Sequence, residues 1–223
     1  MTATSRLVLH RDDPDREPLA AHVRVTREDW LAVARDTLVR DGVEQVKVLT
    51  LAHRMEVSRS SFYWYFKNRD DLLDALLSEW EARNTARIVE HCAMPAENIT
   101  MAICNFFRCF IDPARFDRGL DFAVREWSRR DEALRDRVDA ADAVRLGAVT
   151  DMFARQGYDR HDADARARIL YFMQLGYHAL DVREPMETRL SRVSAYLRGF
   201  SGREPDNSAL ETFLRDVQAL GLE

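Results

Sequence analysis

The stretch that most constrains this chain is Val46–Leu73, VKVLTLAHRMEVSRSSFYWYFKNRDDLL. Its patterning predicts two short helices joined by a tight turn, followed at once by the start of a longer one. Leu51, Ala52 and Met55 give the first of these helices one apolar side. Val57 then leads into a turn, and the Ser58 hydroxyl is placed to cap the next helix. Val57 and Phe62 flank that cap as a hydrophobic staple, which fixes the angle of approach. Phe62 and Phe66, four apart, share the buried side. Ser60, Tyr63, Trp64 and Lys67 project the other way, with Arg59 beside them.

That outward face does not read as ordinary solvated surface. Two large aromatics stand outside among hydroxyls and cations, where Glu, Lys and Gln would be expected. A helix entering the DNA major groove needs such a face, with Arg for guanine edges and hydroxyl or phenol donors for phosphates. Between Val46 and Arg69, the cations Lys47, Arg54, Arg59, Lys67 and Arg69 stand against Glu56 alone, in a chain of formal net charge −5. Cationic charge is thus concentrated where phosphates would lie. The competing reading is a helical hairpin that packs a core, its aromatics covered by another part of the protein.

The segment VSRSSFYWYFKNRDDLL resembles the signature of the TetR family of one-component transcriptional regulators. In that family the recognition helix runs Val-Ser-basic-small-small-apolar-Tyr-aromatic-aromatic-Phe, and a basic residue opens the following helix. Here those positions are Val57 to Phe66, with Arg69 as the basic residue. The resemblance extends from about Arg24 to Asn84 and takes in the preceding capped helix, the Asp41-Gly42 turn and the Leu51-Ala52 pair. It implies that Arg59, Ser60 and Ser61 meet base edges of a double-stranded DNA operator. It further implies that Tyr63, Tyr65, Lys67 and Arg69 hold phosphates, and that Trp64 packs on the backbone or a thymine methyl. Thr50 is a further phosphate candidate.

The chain departs from that pattern twice. The turn normally has Gly before the Val, where Glu56 stands here. If the turn needs a positive φ, Glu there costs on the order of 1–2 kcal/mol. The following helix normally opens on a Thr or Ser cap, where Lys47 stands here, so its ammonium is the substitute candidate for the phosphate contact.

Upstream, Thr26 and Asp29 predict a capping box for the first helix, with Val25 and Trp30 as its staple and Asp41-Gly42 as its left-handed end. Residues 1–24 are polar with balanced charge, and residues 1–23 are expected to form a flexible N-terminal arm. Downstream, Asn68 predicts the cap of a long helix running to about His91, with Asp70 and Asp71 favourable at its positive end. The DNA-binding domain is accordingly placed at residues 24–84 and a larger second domain at 85–223.

In that second half, apolar residues spaced by three or four predict helices near 95–110, 118–130, 131–156, 162–182, 187–200 and 207–219, with a stop at Asp112-Pro113 and another at Gly157. In the helix 131–156 the buried stripe is assigned to Leu134, Val138, Ala141, Val144, Ala148 and Met152. No period-2 strand is found, so the fold class is all-α, with about 9–10 helices in all. Aromatics exceed what a minimal bundle needs, and the family resemblance implies a small-molecule effector pocket, for which Phe106, Phe110, Trp127 and Tyr171 are the candidates; any one of these rings taken singly fits a plain core better. The family resemblance implies a homodimer seam, assigned to Ile169, Phe172, Met173, Gly176, Leu180, Leu190, Val193 and Leu197.

Enzyme motifs are missing: there is no HExxH, GxGxxG, P-loop or GxSxG. His91, Cys92, Cys104 and Cys109 fit no common zinc spacing, and His178 with Asp181 reads as a local pair on a helix surface. No cofactor or metal is expected. Apolar runs fall short of the roughly 18 residues of a membrane span. The N-terminus lacks a long apolar segment of the secretory kind, and three cysteines form no even framework, which suits a cytoplasmic protein. The expectation is a dimeric, ligand-responsive repressor on a near-palindromic operator. The alternative is an all-α small-molecule-binding or scaffolding protein without DNA affinity.

Overall fold

A computed structural model of the chain describes residues 25–111 and 115–220. The expected arm at 1–23 and the Asp112-Pro113 stop lie outside them. Among the described residues every regular element is helical, so the all-α expectation holds.

Helix α1 (Arg27–Asp41) opens on the expected capping box. The Thr26 hydroxyl accepts from the Asp29 amide at 3.2 Å, and the Asp29 carboxylate accepts from the Thr26 amide at 2.8 Å. Gly42 ends the helix at φ 81°, ψ 168°, a positive φ but not the left-handed helical turn expected. Helix α2 (Val48–Arg54) is followed by a 3-10 helix, Arg59–Trp64, and then α3 (Arg69–Trp80). The recognition segment is thus wound more tightly than an α-helix. Ser58 has the extended backbone of a cap, but its hydroxyl lies 2.7 Å from that of Ser60 and makes no cap bond. The Asn68 cap of α3 is as expected, its side chain accepting from the Asp71 amide at 2.9 Å. One π-helical turn, Glu81–Thr85, joins α3 to α4 (Ala86–Ala93), so the long helix ends close to the expected place.

The second half contributes α5 (Ile99–Ile111), α6 (Arg118–Ser128), α7 (Glu132–Arg155), α8 (Arg160–Ala179), α9 (Met186–Ser191), α10 (Val193–Ser201) and α11 (Asn207–Ala219). The single helix expected at 187–200 is two, interrupted at Arg192.

Two apolar clusters hold these elements together. The first is built on Trp30, Leu51, Phe62, Phe66, Leu76 and Trp80, with Trp30 meeting Phe62 edge-on at 5.2 Å. It also contains Leu120 and Val124 of α6 and Leu134 and Val138 of α7. A boundary at 84/85 therefore runs through continuous packing, and α1 and α3 rest on α6. Their approach is close at Gly119, where a Cβ would sit 3.0 Å from a Val39 methyl. The second cluster, around Ile103, Phe106, Phe153, Leu170 and Phe213, fills the far half.

The α7 stripe differs from its expectation at one place. Val144 is 54% exposed, whereas its neighbour Arg145 is fully buried. A guanidinium can occupy a core position when carboxylates and hydroxyls meet it there, and a hydropathy pattern does not see such a partner.

Candidate nucleic-acid interface and cavity

The recognition segment presents its aromatics outward. Tyr63 is 55% and Trp64 84% exposed, while Phe62 behind them is fully buried. Lys47, Arg59 and Lys67 are exposed, and among the described residues no carboxylate pairs with them. Ser60 is exposed, and half-buried Ser61 donates to the Ser58 carbonyl at 2.8 Å. Thr50 is half-buried in the first turn of α2, and Lys47 precedes that helix with no side-chain cap bond. Glu56 has φ 55°, so the turn does demand the left-handed conformation that Gly would supply without strain.

Two of the five cations counted on this stretch differ in role from the other members of the face. Among the described residues Lys47 has no ion pair, but Arg54 donates to Thr37 at 2.7 Å and Asp41 at 2.5 Å. Arg69, expected on a phosphate, donates through Nε to the Val46 carbonyl at 2.7 Å and through Nη2 to that of Val43 at 2.8 Å. Its planar fork satisfies backbone acceptors of the connection before α2. Tyr65, also expected on a phosphate, is half-buried and donates its hydroxyl to the Val25 carbonyl at 2.8 Å. These two side chains brace the domain from within, and the outward cations reduce to Lys47, Arg59 and Lys67.

A cavity of about 360 Å³ lies among α5, the start of α6, α8, α9, α10 and α11. Of the four pocket candidates Phe110 alone lines it. Phe106 is buried in the far core, Trp127 packs on the first cluster, and Tyr171 is buried with its hydroxyl in an ion network. The lining comes instead from Phe107, Met173, Tyr177, His178, Leu190 and Val193, with others. Three of these, Met173, Leu190 and Val193, had been assigned to the dimer seam; they face inward. Leu197 is likewise in the core. Ile169, Phe172 and Leu180 are exposed on the outer side of α8, with Gly176 half-buried along the same line. The usable signal was that α8 is apolar on two faces, one for the cavity and one for the outside.

His178 does not pair with Asp181, which binds Arg183 instead at 2.6 Å. Its ring lies against Phe110 and Phe116, 5.5 and 5.6 Å between centroids. Burial, reinforced by the nearby Arg118, pushes its imidazole down to about 4. Its Nε2 is 2.8 Å from the Gln174 amide nitrogen, and its Nδ1 is buried without a hydrogen-bond partner among the described residues.

Between the two sites runs a buried polar network. Asp121 accepts from Trp80 at 2.8 Å, from Arg145 at 2.9 Å and from Arg125 at 2.9 Å. Arg125 grips Asp142 with two bonds, 2.8 and 2.6 Å, and Tyr171 donates to Asp142 at 2.6 Å. Arg145 also donates to Thr85, in the π turn, at 2.9 Å. Burial alone would raise the Asp121 carboxyl, but Arg145 and Arg125 hold it down at about 2. Trp80 ends α3, so the network ties the helix under the recognition segment to α6, α7 and α8.

The cysteines are buried, and burial pushes all three thiols up to about 12. His91 faces the Asn105 carbonyl at 2.8 Å. Among the described residues no cluster of three His, Cys, Asp or Glu could hold a metal ion, and no helix is long and apolar enough to cross a membrane.

Residues 31–76 match the family profile described as bacterial regulatory proteins, tetR family. An HTH-type transcriptional regulator of Saccharopolyspora erythraea is 36% identical over 53 residues, 24% of this chain and 22% of that protein. The match thus spans about a fifth of the relative's length. The crystal structure of Mycobacterium smegmatis AmtR superposes with a TM-score of 0.57 at 18% identity, covering 95% of this chain and 99% of that one. A putative TetR-family transcriptional regulator from Rhodococcus sp. gives 0.55 at 16% identity, covering 79% and 96%. At such identities the likeness speaks for the fold.

Proposed function

We propose, for a chain that belongs to the TetR family by its N-terminal domain, the function of a DNA-binding transcriptional regulator that acts as a homodimer and answers to a small molecule. The observation that carries this reading is the outward face of Arg59–Trp64. Its backing is a closed apolar core, yet it leaves in solvent Tyr63, Trp64 and an arginine, Arg59, that has no ion pair among the described residues. Groups of these kinds serve base edges and phosphates and gain nothing from standing in water.

In a dimer the two faces would enter successive major grooves about 34–36 Å apart. Arg59, Ser60 and Ser61 would read bases, Tyr63, Lys67, Lys47 and Thr50 would hold phosphates, and Trp64 would lie against the duplex. A ligand in the far cavity would favour one placement of α3 and α4 over another. The buried network from Tyr171 to Trp80 supplies the mechanical path. Release of DNA on ligand binding, as in a repressor, is the direction we assign.

The test is selection of bound fragments from random double-stranded DNA by the purified chain. An enriched, near-palindromic sequence is the expected result. Recovery of unenriched DNA refutes an operator-specific regulator, and recovery of none leaves the ligand-binding protein without DNA affinity.

A further inference from the structure

The far cavity has an apolar body and a charged end whose balance is uneven. Phe107, Phe110, Met173, Leu190 and Val193 supply the apolar walls. The acids on the lining are already answered: Asp181 pairs with Arg183 at 2.6 Å, and Glu184 pairs with Arg192 at 2.5 Å. Two lining cations are not. Among the described residues Arg118, at the start of α6, and Arg189, on α9, form no ion pair. The Arg189 guanidinium lies over the Tyr177 ring at 5.0 Å, which orients it but leaves its charge uncompensated. Both cations act on His178, also on the lining, and help to keep it neutral. If the Gln174 amide donates to the His178 Nε2, the buried Nδ1 carries a proton and has no acceptor. The unmet capacity at this end of the cavity is for an acceptor with negative charge.

We infer that the cavity binds an apolar monoanion, a carboxylate on an aromatic or aliphatic body, with Arg118 and Arg189 holding the carboxylate and the α5 and α8 side chains enclosing the body. A guanidinium matches a carboxylate through two parallel donors. A bare inorganic anion would leave the apolar walls unfilled, and a cationic amphiphile would meet two like charges. The volume, at the low end of the roughly 300–1,000 Å³ of ligand pockets, suits a small molecule of this kind.

The inference rests on the ligand-responsive reading, and its test is separable from that of DNA binding. The full chain is titrated calorimetrically with 4-phenylbutyrate, the corresponding uncharged amide and 4-phenylbutylamine. The carboxylate should bind about tenfold or more tightly than the amide, and the amine should not bind. Arg118→Gln and Arg189→Gln should each weaken the carboxylate about tenfold while leaving the amide nearly unaffected. Arg118 is exposed and Arg189 half-buried, so these variants should fold; circular dichroism checks that they do. Equal binding of acid and amide, preference for the amine, or no binding by any of the three overturns the inference. Binding of the carboxylate by a chain that enriches no DNA would sink the regulator and leave this ligand class standing. An enriched operator without carboxylate binding would do the reverse.

Discussion

Tyr65 and Arg69 show how a residue can fit a binding motif and be used elsewhere. A phenol and a guanidinium beside a groove-facing helix carry the chemistry of phosphate contacts, and the sequence alone offers no rival partner. The rivals are carbonyls of residues 40 and about two dozen positions upstream, which only the folded chain brings near. The two classes separate by experiment. Lys67→Ala should weaken binding to all DNA sequences alike and lower the salt slope by about one. Tyr65→Phe should leave that slope unchanged and cost about 0.5–1.5 kcal/mol of stability through the lost hydrogen bond. DNA titrations across salt concentrations, with urea unfolding alongside, check both; equal slopes for Lys67→Ala and the parent chain would remove Lys67 from the contacts. Glu56 was legible from the outset, because a family glycine replaced by Glu raises the question of a positive φ. At φ 55°, Glu56→Gly should stabilise the chain by roughly 1 kcal/mol, read as a higher urea midpoint at unchanged slope. A lower midpoint would mean that the glutamate side chain contributes more than its backbone strain removes.

At the level of elements most helix caps were readable, Ser58 and Gly42 excepted, and the buried charges were not. Thr26, Asn68 and Gly157 announce their helix ends through short-range chemistry that the sequence spells out. Asp121, Arg125, Asp142 and Arg145 look like solvated helix residues, since their partners lie on other helices. Yet Asp121 is nearly buried and Arg145 fully so. Asp121→Asn should therefore destabilise the chain by about 3–5 kcal/mol, because it leaves a buried guanidinium short of charge. Asp121→Leu combined with Arg145→Met should cost less than the sum of its single changes, a positive coupling measured by a double-mutant cycle of urea unfolding. Additive losses would show the two groups to be independent. Within α8, His178 supplies a pH signature. Its folded value of about 4 lies below the ordinary 6.5, so the unfolded chain takes up the proton first as pH falls. The contribution is complete above about pH 6.5 and is lost as pH falls toward 4. Plotted as melting temperature against pH, the parent chain should fall more steeply than His178→Gln across that window; parallel curves would contradict the buried neutral imidazole.

For the whole molecule, the outer side of α8 decides how two copies would meet. The all-α fold and its helix order follow from local periodicity, but the sides that those helices present depend on what α9, α10 and α11 cover. Periodicity gives α8 apolar residues in two directions, and a single chain cannot tell which one is closed by its own fold. Met173 turns into the cavity, whereas Ile169, Phe172 and Leu180 remain in solvent, with Ala143 and Gly147 of α7 on the same surface as Phe172. Exposed ion pairs, Arg135 with Asp139 and Arg168 with Asp164, border this apolar strip. An apolar centre inside a charged rim is the anatomy of a protein interface, and a two-fold axis through α7 and α8 would bury the strip against its own copy. On this account the seam proposed from sequence keeps Ile169, Phe172, Gly176 and Leu180 and loses Met173, Leu190, Val193 and Leu197 to the interior. Phe172→Glu would place a charge against its symmetry mate or an apolar neighbour, where charge is costly. Sedimentation at micromolar concentration should give about twice the chain mass of 25.9 kDa for the parent chain and one chain mass for Phe172→Glu. Leu190→Ala, altering the cavity wall, should remain dimeric. The monomer should also lose most of its affinity for a two-half-site operator, since each half would bind without the other's contribution to effective concentration. A Phe172→Glu dimer of undiminished stability would move the axis off α8, and the spacing of the two recognition segments with it.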